Sequence, residues 1–193
     1  MDWHTEAVQQ IEESCQLSQA LKEQAGVLVD IAGRITDALR QGHKVLLLGN
    51  GGSSADAQHI AAELSGKFRL EREPLPALAL TTNTSCITAI ANDYGYEAVF
   101  ARQLRAIVAP HDVVVCISTS GNSPSVLRAV EEARSHGAFT VALTGDCGEL
   151  REKADISLCL PSTATPRIQE AHILAGHIIC HLVEEALFGG DHE

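Results

Sequence analysis

The chain has 193 residues, which is long enough for one α/β domain with a real core and too short for two domains of ordinary size. Hydrophobic residues make up 45% and charged residues 20%, an ordinary globular composition, and the net charge of −11 argues against broad binding to nucleic acid or anionic membranes. An anionic ligand would therefore have to be held by local hydrogen-bond donors.

The N-terminus and the cysteines indicate the compartment. The first residues, MDWHTEAVQQIEES, are acidic and lack the basic segment and apolar core of a signal peptide. We find no apolar run that approaches the ~20 residues of a membrane span. The six cysteines are scattered and form no C-x-x-C pair, so without an export signal we expect them to be reduced and to fill the core. These features predict a cytoplasmic protein.

Two helices are predicted to open the chain. The first runs from about Asp2 to Leu21, and its thin apolar stripe leaves two alternatives open: packing on a partner subunit or docking on its own domain. The second is clearer, because its apolar residues recur at helical spacing and Gly42 stands where a C-terminal cap belongs. These apolar residues are Leu28, Ile31, Ile35 and Leu39.

From Lys44 the pattern changes to short apolar runs, each followed by a polar turn. The predicted strands are Val45–Leu48, Ala77–Leu80, Val113–Ile117, Thr140–Leu143 and Ile156–Leu160. The predicted helices are Ser53–Leu64, Thr84–Ala91, Glu97–Val108, Ser123–Ser135 and Pro166–Leu187. Apolar strands that alternate with helices predict a parallel sheet covered on both faces. We expect a single domain, 1–193, with N-terminal helices in 1–42 and an α/β core in 43–188.

Two polar turns follow the first and third predicted strands, at the edge of the sheet where ligands bind. In the first, GNGGS (Gly49 to Ser53), the glycines leave backbone N–H groups open to an anion, and Ser53 is predicted to cap a helix. Taken alone, this turn is better explained as an ordinary strand-to-helix connection, because it matches neither the dinucleotide fingerprint nor the P-loop.

The second turn, STSGNS, is the stronger signal for an anion site. It supplies hydroxyl groups, and Pro124 directly after it marks the first turn of a helix. Amides and hydroxyls at a helix N-terminus bind phosphate without a lysine. The hydroxyl-bearing residues are Ser118, Thr119, Ser120 and Ser123.

Two histidine-containing patterns lie far apart in the chain. His59 stands four residues before Glu63, and Gln169 stands eight residues before His177. Residues four apart share a helix face, and residues eight apart are only about 80° out of alignment. Together the patterns offer two imidazoles, a carboxylate and an amide oxygen, which suit a divalent metal such as zinc. The alternatives are a solvated histidine at 59 and a core hydrogen bond between Gln169 and His177.

Five segments carry a family resemblance over nearly the whole chain: LLGNGGSSADAQHIAAEL, AIANDYGYE, ISTSGNSPSV, ALTGD and RIQEAHILAGHII. With them the chain resembles the sugar isomerase (SIS) domain family, and within it the phosphoheptose isomerases. The resemblance implies the SIS fold, a three-layer α/β/α sandwich with a five-stranded parallel sheet and an N-terminal helical extension. It also implies a homotetramer with active sites at the subunit interfaces.

The resemblance further implies an activity and its residues. The activity is conversion of D-sedoheptulose 7-phosphate to D-glycero-D-manno-heptose 7-phosphate, the first step of nucleotide-activated heptose biosynthesis for the lipopolysaccharide core. The ligands of one zinc ion per subunit correspond to His59, Glu63, Gln169 and His177. The substrate contacts correspond to Asn50, Gly51, Gly52, Asn92, Asp93, Ser118, Thr119, Ser120, Ser123 and Gln169. Asp93 could instead cap a helix.

Aldose–ketose isomerisation moves a proton between adjacent carbons through an enediol, and it needs a base, an acid and a group that stabilises the oxyanion. We predict that Glu63 is the base and that His177 carries protons to and from oxygen. A bound metal would polarise the carbonyl. Because a tightly metal-bound Glu63 is a poorer base, either this carboxylate leaves the metal during turnover or the metal is chiefly structural.

Two other functions remain open from the sequence. One is that of a non-enzymatic SIS tetramer of the same subfamily that binds the bacterial replication initiator. That protein resembles this chain in QHIAA, AIAND and RIQE but lacks the carboxylate at position 63 and the histidine at position 177, and this chain has both. The other is that of an SIS protein for a different sugar phosphate. No nucleic-acid or membrane partner is expected.

Four further residues near these motifs are not assigned to the predicted site. His172 and His181 fall on other helix faces and are expected to be structural or surface histidines. Arg69 and Arg72 are expected in a solvated loop, with contact to an anionic ligand across a subunit boundary as the alternative.

Overall fold

The computed structural model describes residues 2–190. The chain opens with helices α1 (Trp3–Lys22) and α2 (Ala25–Arg40). The strands are β1 (Val45–Gly49), β2 (Ala77–Ala79), β3 (Val113–Ser118), β4 (Phe139–Thr144) and β5 (Ile156–Cys159). The other helices are α3 (Gly52–Ser65), α4 (Thr84–Tyr94), α5 (Val99–Ile107), α6 (Pro124–Ser135), α7 (Leu150–Lys153) and α8 (Thr165–Phe188), with a short 3₁₀ turn, Tyr96–Ala98, before α5.

The strands form one parallel sheet in the order β2-β1-β3-β4-β5. The direction in which strands are added reverses between β1 and β3, where Gly49 lies beside Ile117. Ligands of open α/β sheets bind beyond the carboxyl ends of the strands at such a point. The turns after β1 and β3 leave the sheet here, so the fold brings the two predicted anion-binding turns together.

Helices cover both faces of the sheet, because successive side chains of each strand point to opposite faces. In β1, Val45 and Leu47 pack in a core with α1, α2, α3 and α8, while Leu46 and Leu48 pack in a second core with α5 and α6. All four side chains are fully buried. The predicted three-layer α/β/α sandwich with a five-stranded parallel sheet and N-terminal helices is therefore confirmed.

Helix α8 corrects one expectation about membrane spans. It has 24 residues and is, by length and composition alone, long and apolar enough to cross a membrane. The long core helix of a globular protein passes the same test, and α8 packs against α1, α2 and α3. We therefore assign its apolar character to the core that it shares with these helices.

His172 lies inside this core. It is 0% exposed, and neither ring nitrogen has a hydrogen-bond partner among residues 2–190. Burial lowers the pKa of its imidazole from 6.5 to about 4, a shift that the nearby backbone of Thr144 partly opposes. Of the two roles expected for His172, the structure gives it the structural one, as a neutral side chain.

We expect acid to destabilise the protein through His172. The folded imidazole has the lower pKa, so the unfolded chain binds more protons between about pH 6.5 and pH 4. The stability that depends on neutral His172 is complete above this window and decreases as the pH falls through it. Between pH 7.5 and pH 4.5 the wild type should lose about 2–3 kcal/mol more free energy of unfolding than His172→Leu, which has a similar volume and cannot titrate. Urea unfolding of both proteins at both pH values measures this difference, and equal losses would contradict it.

Candidate active site

The turn after β1 allows helix α8 to approach the start of α3. Gly51 has a φ of +54°, a backbone conformation that favours glycine. A Cβ atom on Gly52 would collide with the side-chain amide of Gln169. The missing side chain at position 52 therefore lets Gln169, from the second sequence pattern, lie directly against the turn that precedes the first pattern.

The predicted helix cap at Ser53 is wrong. Helix α3 begins at Gly52, and Ser53 is buried in its first turn. A Cβ atom on Gly49 would lie 2.8 Å from the Cβ of Ser53, so the serine fills the space beside this glycine instead of facing the turn. Gly51 takes the cap position and provides no side-chain hydrogen bond.

Asn50 connects the turn after β1 to two other segments. Its Nδ2 donates a hydrogen bond of 3.0 Å to Oγ of Ser125, in the first turn of α6. Its Oδ1 accepts a hydrogen bond of 2.9 Å from the hydroxyl of Tyr96. Tyr96 did not figure in the sequence predictions, because no local signal relates it to a residue 46 positions earlier. The contact of Asn50 with substrate stays a prediction.

The hydroxyl groups of the turn after β3 differ in their exposure and in their hydrogen bonds. Ser118 is buried as the last residue of β3, and its Oγ lies 3.1 Å from Oγ of Ser123, so these two hydroxyls are engaged with each other. Thr119 is half-buried. Ser120 is exposed, and its Oγ accepts the backbone N–H of Asn122 at 3.2 Å. Helix α6 begins at Pro124, as predicted.

His59, Glu63 and His177 converge at one point. One ligand atom from each lies within 4.8 Å of the others, and this is the one such group of His, Cys, Asp and Glu found among residues 2–190. Nε2 of His59 is 3.0 Å from Oε1 of Glu63 and 3.3 Å from Nε2 of His177. The first two residues lie one turn apart on α3, and the third comes from α8, which packs beside α3.

Two of these separations, 3.0 and 3.3 Å, are close to those between neighbouring ligands of a metal ion. Tetrahedral zinc with bonds of about 2.0–2.2 Å holds neighbouring ligand atoms roughly 3.3–3.5 Å apart. In addition, Nε2 of His59 faces both Oε1 of Glu63 and Nε2 of His177, while a neutral imidazole nitrogen either donates or accepts. A cation would satisfy the lone pairs of all three atoms at once. The group can therefore hold a metal ion.

The position of Gln169 relative to these three side chains is given by its place on α8 and by its contact with Gly52. It lies on α8 eight residues before His177, and its amide rests against Gly52, at the start of α3 and seven residues before His59. The predicted roles of Gln169 as a metal ligand and a substrate contact stay predictions.

Asp56 is a candidate residue that sequence reasoning missed as part of the site. It lies one turn before His59 on α3, and its Oδ2 is buried without a partner among residues 2–190. Burial raises the pKa of its carboxyl to about 6, against the opposing charge of His59. A carboxylate near a metal-binding imidazole commonly orients the ring. The D-x-x-H spacing on one helix is the sequence signal for such a pair.

Asn92 and Asp93 lie in the last turn of α4, because this helix continues to Tyr94. Both are exposed, and Nδ2 of Asn92 donates to Oδ1 of Asp93 at 2.8 Å. Asp93 therefore does not cap a following helix. Their role as substrate contacts stays a prediction, and the hydrogen bond from Tyr96 to Asn50 ties this segment to the turn after β1.

Comparisons with known proteins decide the family. Residues 9–145 match the family model described as SIS domain. The phosphoheptose isomerase of Aquifex aeolicus (strain VF5) is 55% identical over 159 residues, which cover 82% of this chain and 83% of that protein. The chain belongs to the SIS domain family. Within it, the chain belongs to the phosphoheptose isomerases, which are aldose–ketose isomerases.

Two solved structures of phosphoheptose isomerases have the same fold as this chain. The phosphoheptose isomerase of Neisseria gonorrhoeae superposes with a TM-score of 0.90 at 40% identity, covering 94% of this chain and 98% of that one. The phosphoheptose isomerase of Francisella tularensis superposes with a TM-score of 0.91 at 36% identity, covering 96% of this chain and all of that one. The predicted SIS fold and the predicted class of enzyme are confirmed.

Proposed function

We propose that this chain converts D-sedoheptulose 7-phosphate to D-glycero-D-manno-heptose 7-phosphate, with His59, Glu63 and His177 at the reacting centre. The observation that carries the proposal is the convergence of these three side chains from α3 and α8. They lie on the helices that meet at the turn after β1, and positions 63 and 177 are the two that differ in the non-enzymatic tetramer described above.

The phosphate would be held at the turn after β3 and the first turn of α6. This location supplies hydroxyls and helix N-terminal amides, which bind phosphate in a protein of net charge −11 without a lysine. The residues proposed to contact the substrate are Asn50, Gly51, Gly52, Asn92, Asp93, Ser118, Thr119, Ser120, Ser123 and Gln169.

Ser120→Ala is expected to act on substrate binding. The Oγ of Ser120 accepts a backbone N–H, so its own hydrogen is free to donate to phosphate. Losing one charge-assisted hydrogen bond, about 1.5–3 kcal/mol, should raise KM by roughly 10- to 100-fold with little change in kcat. Ser135→Ala, at the far end of α6, is the matched control and should leave both constants unchanged. A kcat defect at unchanged KM would show that this turn does not cradle the phosphate.

The proton transfers are assigned to two residues. Glu63 takes a proton from C1 of the ketose, which gives the 1,2-enediol, and returns a proton to C2 to form the aldose. His177 moves a proton between the oxygens on C1 and C2. A divalent metal, proposed to be one zinc ion per subunit, would polarise the carbonyl when bound by His59, Glu63, Gln169 and His177. Glu63 would then have to leave the metal to act as the base, unless the metal is chiefly structural.

A direct assay tests the proposed function. The protein is incubated with sedoheptulose 7-phosphate in D2O, and NMR follows the appearance of the aldose and of deuterium at its C2. Parallel reactions with five- and six-carbon ketose phosphates test an SIS protein for another sugar. Turnover of only one of those sugars would contradict the proposed substrate, and capture of the replication initiator by a protein without isomerase activity would favour the non-enzymatic alternative.

The proposal includes a cytoplasmic homotetramer in the heptose pathway for lipopolysaccharide. Support for self-association comes from exposed apolar residues on α1, with Trp3 78% and Ile11 63% exposed. An apolar groove of about 400 Å³ lies beside α1, between it, α2 and α8. Sedimentation velocity measures the assembly, and a monomer at the concentration of the assay would contradict this part of the proposal.

A further inference from the structure

The segment after α3, residues 66–76, is fastened to the C-terminal half of α8. We call it the 66–76 strap. It contains no helix or strand, yet three of its consecutive backbone N–H groups, those of Phe68, Arg69 and Leu70, donate to the carboxylate of Glu184 at 3.1, 2.8 and 3.0 Å. Glu184 is 1% exposed and lies on α8 two turns after His177, on the same helix face.

Arg72 completes the attachment and corrects the expectation of a solvated loop. Its side chain is 1% exposed, and its Nε donates to Oε1 of Glu184 at 2.8 Å. Burial raises the pKa of the Glu184 carboxyl, but the three backbone N–H groups and Arg72 outweigh this effect and hold the pKa below its usual value. The pair is therefore a buried ion pair whose charges are satisfied.

Arg72 also holds the end of α3. Its guanidinium donates to the carbonyl oxygens of Glu63 at 2.9 Å and of Leu64 at 3.0 Å. These carbonyls belong to the last turn of the helix and have no partner within it. One guanidinium thus joins the backbone of a predicted metal ligand, Glu63, to a carboxylate on the helix that carries His177.

The strap contacts His177 itself. The ring of Phe68 stacks on the imidazole of His177 with centroids 5.8 Å apart and an angle of 28° between the planes. The backbone N–H of Phe68 is one of the three bound by Glu184. The carboxylate therefore fixes the residue that limits the rotation of the His177 ring.

We propose that Arg72 and Glu184 are positioning residues for the metal site, holding α3 and α8 at the separation at which His59, Glu63 and His177 bind one ion. The proposal rests on the proposed metal site. A ligand set held before the ion arrives loses less conformational entropy on binding, and residues that orient metal ligands typically change affinity or activity by about 10- to 100-fold when replaced.

A matched pair of variants separates positioning from general stability. Glu184→Gln keeps the shape and removes the charge. Asp112→Asn does the same to a second carboxylate that is 1% exposed and accepts from Nζ of Lys44 at 2.6 Å and from the backbone N–H of Ala109 at 2.8 Å. Asp112 lies just before β3, and its carboxylate bonds to Lys44 and Ala109 and not to the strap, α3 or α8. Both variants should be less stable, and only the first touches the strap.

Zinc affinity is measured by competition with a chromophoric chelator, and kcat and KM are measured on the same samples. All measurements are made at a temperature at which circular dichroism shows that both variants are folded. Glu184→Gln should raise the zinc Kd at least about tenfold and lower kcat with little change in KM, whereas Asp112→Asn should leave all three near wild type. If Glu184→Gln does not fold, Phe68→Leu replaces it and should change zinc Kd and kcat in the same direction.

The outcomes are distinct. Equal zinc affinity and equal kcat in Glu184→Gln and Asp112→Asn would overturn the positioning role, even if the wild type binds zinc as proposed. A wild type that binds no zinc would instead overturn the metal site. In that case a lower kcat in Glu184→Gln than in Asp112→Asn would support a role in positioning His59, Glu63 and His177, and equal kcat values would overturn it.

Discussion

Glu63→Gln is expected to lower kcat by at least ~10²-fold while the protein stays folded, which is the usual size of general-base catalysis. The amide has the shape of the carboxylate but cannot accept a proton from carbon. Its oxygen can still accept a hydrogen bond from Nε2 of His59, which lies 3.0 Å from Oε1 of Glu63, so the packing of α3 should be unchanged. KM should change little, because the proposed phosphate turn lies after β3.

Steady-state kinetics and circular dichroism on the same samples measure this effect. Glu131→Gln is the matched control: Glu131 also pairs with a cationic side chain, that of Lys153 at 2.6 Å, but it is exposed and lies in the later part of α6, away from α3 and α8. The control should keep wild-type constants. Turnover of Glu63→Gln near the wild-type rate would remove Glu63 from the proposed mechanism.

The double variant His59→Ala with His177→Ala is expected to lose stoichiometric zinc and to keep its fold. The two imidazoles supply two of the three donor atoms of the group, and imidazole nitrogen is a common zinc ligand. The fold should survive, because a buried core on each face of the sheet stabilises the protein without the metal, unlike a small zinc finger.

Elemental analysis of gel-filtered protein measures the zinc content. The double variant His43→Ala with His111→Ala is the control, since these two rings also lie close together, with centroids 5.4 Å apart, but belong to a different cluster. It should retain zinc like the wild type. A full equivalent of zinc in the His59 and His177 double variant would show that the metal is bound elsewhere.

Local patterns made much of the fold and part of the His59, Glu63 and His177 group predictable. Val45 to Leu48 are all apolar because the strand is buried on both faces, and such a run predicts a central parallel strand. That His59 and Glu63 share one helix face could be anticipated because they lie four residues apart. The resemblance to a known family added the pairing of the two patterns, which spacing alone does not give.

Long-range contacts and close approaches were not predictable. Arg72 and Glu184 are 112 positions apart, and the local sequence around each residue does not indicate that the two form a buried ion pair. Phe68 reaches His177 only because the strap is fastened to α8. The predicted cap at Ser53 was wrong because this serine is buried beside Gly49, which also lies against the backbone of Ile117 in the neighbouring strand.

Zinc content and isomerase activity determined on one preparation of the wild-type protein test the role of the His59, Glu63 and His177 group most directly. We expect about one zinc per subunit, loss of sedoheptulose 7-phosphate isomerisation on treatment with a chelator, and recovery when zinc is returned. Full isomerase activity in protein that contains no bound divalent metal would contradict the metal role and would leave these residues as acid–base groups alone.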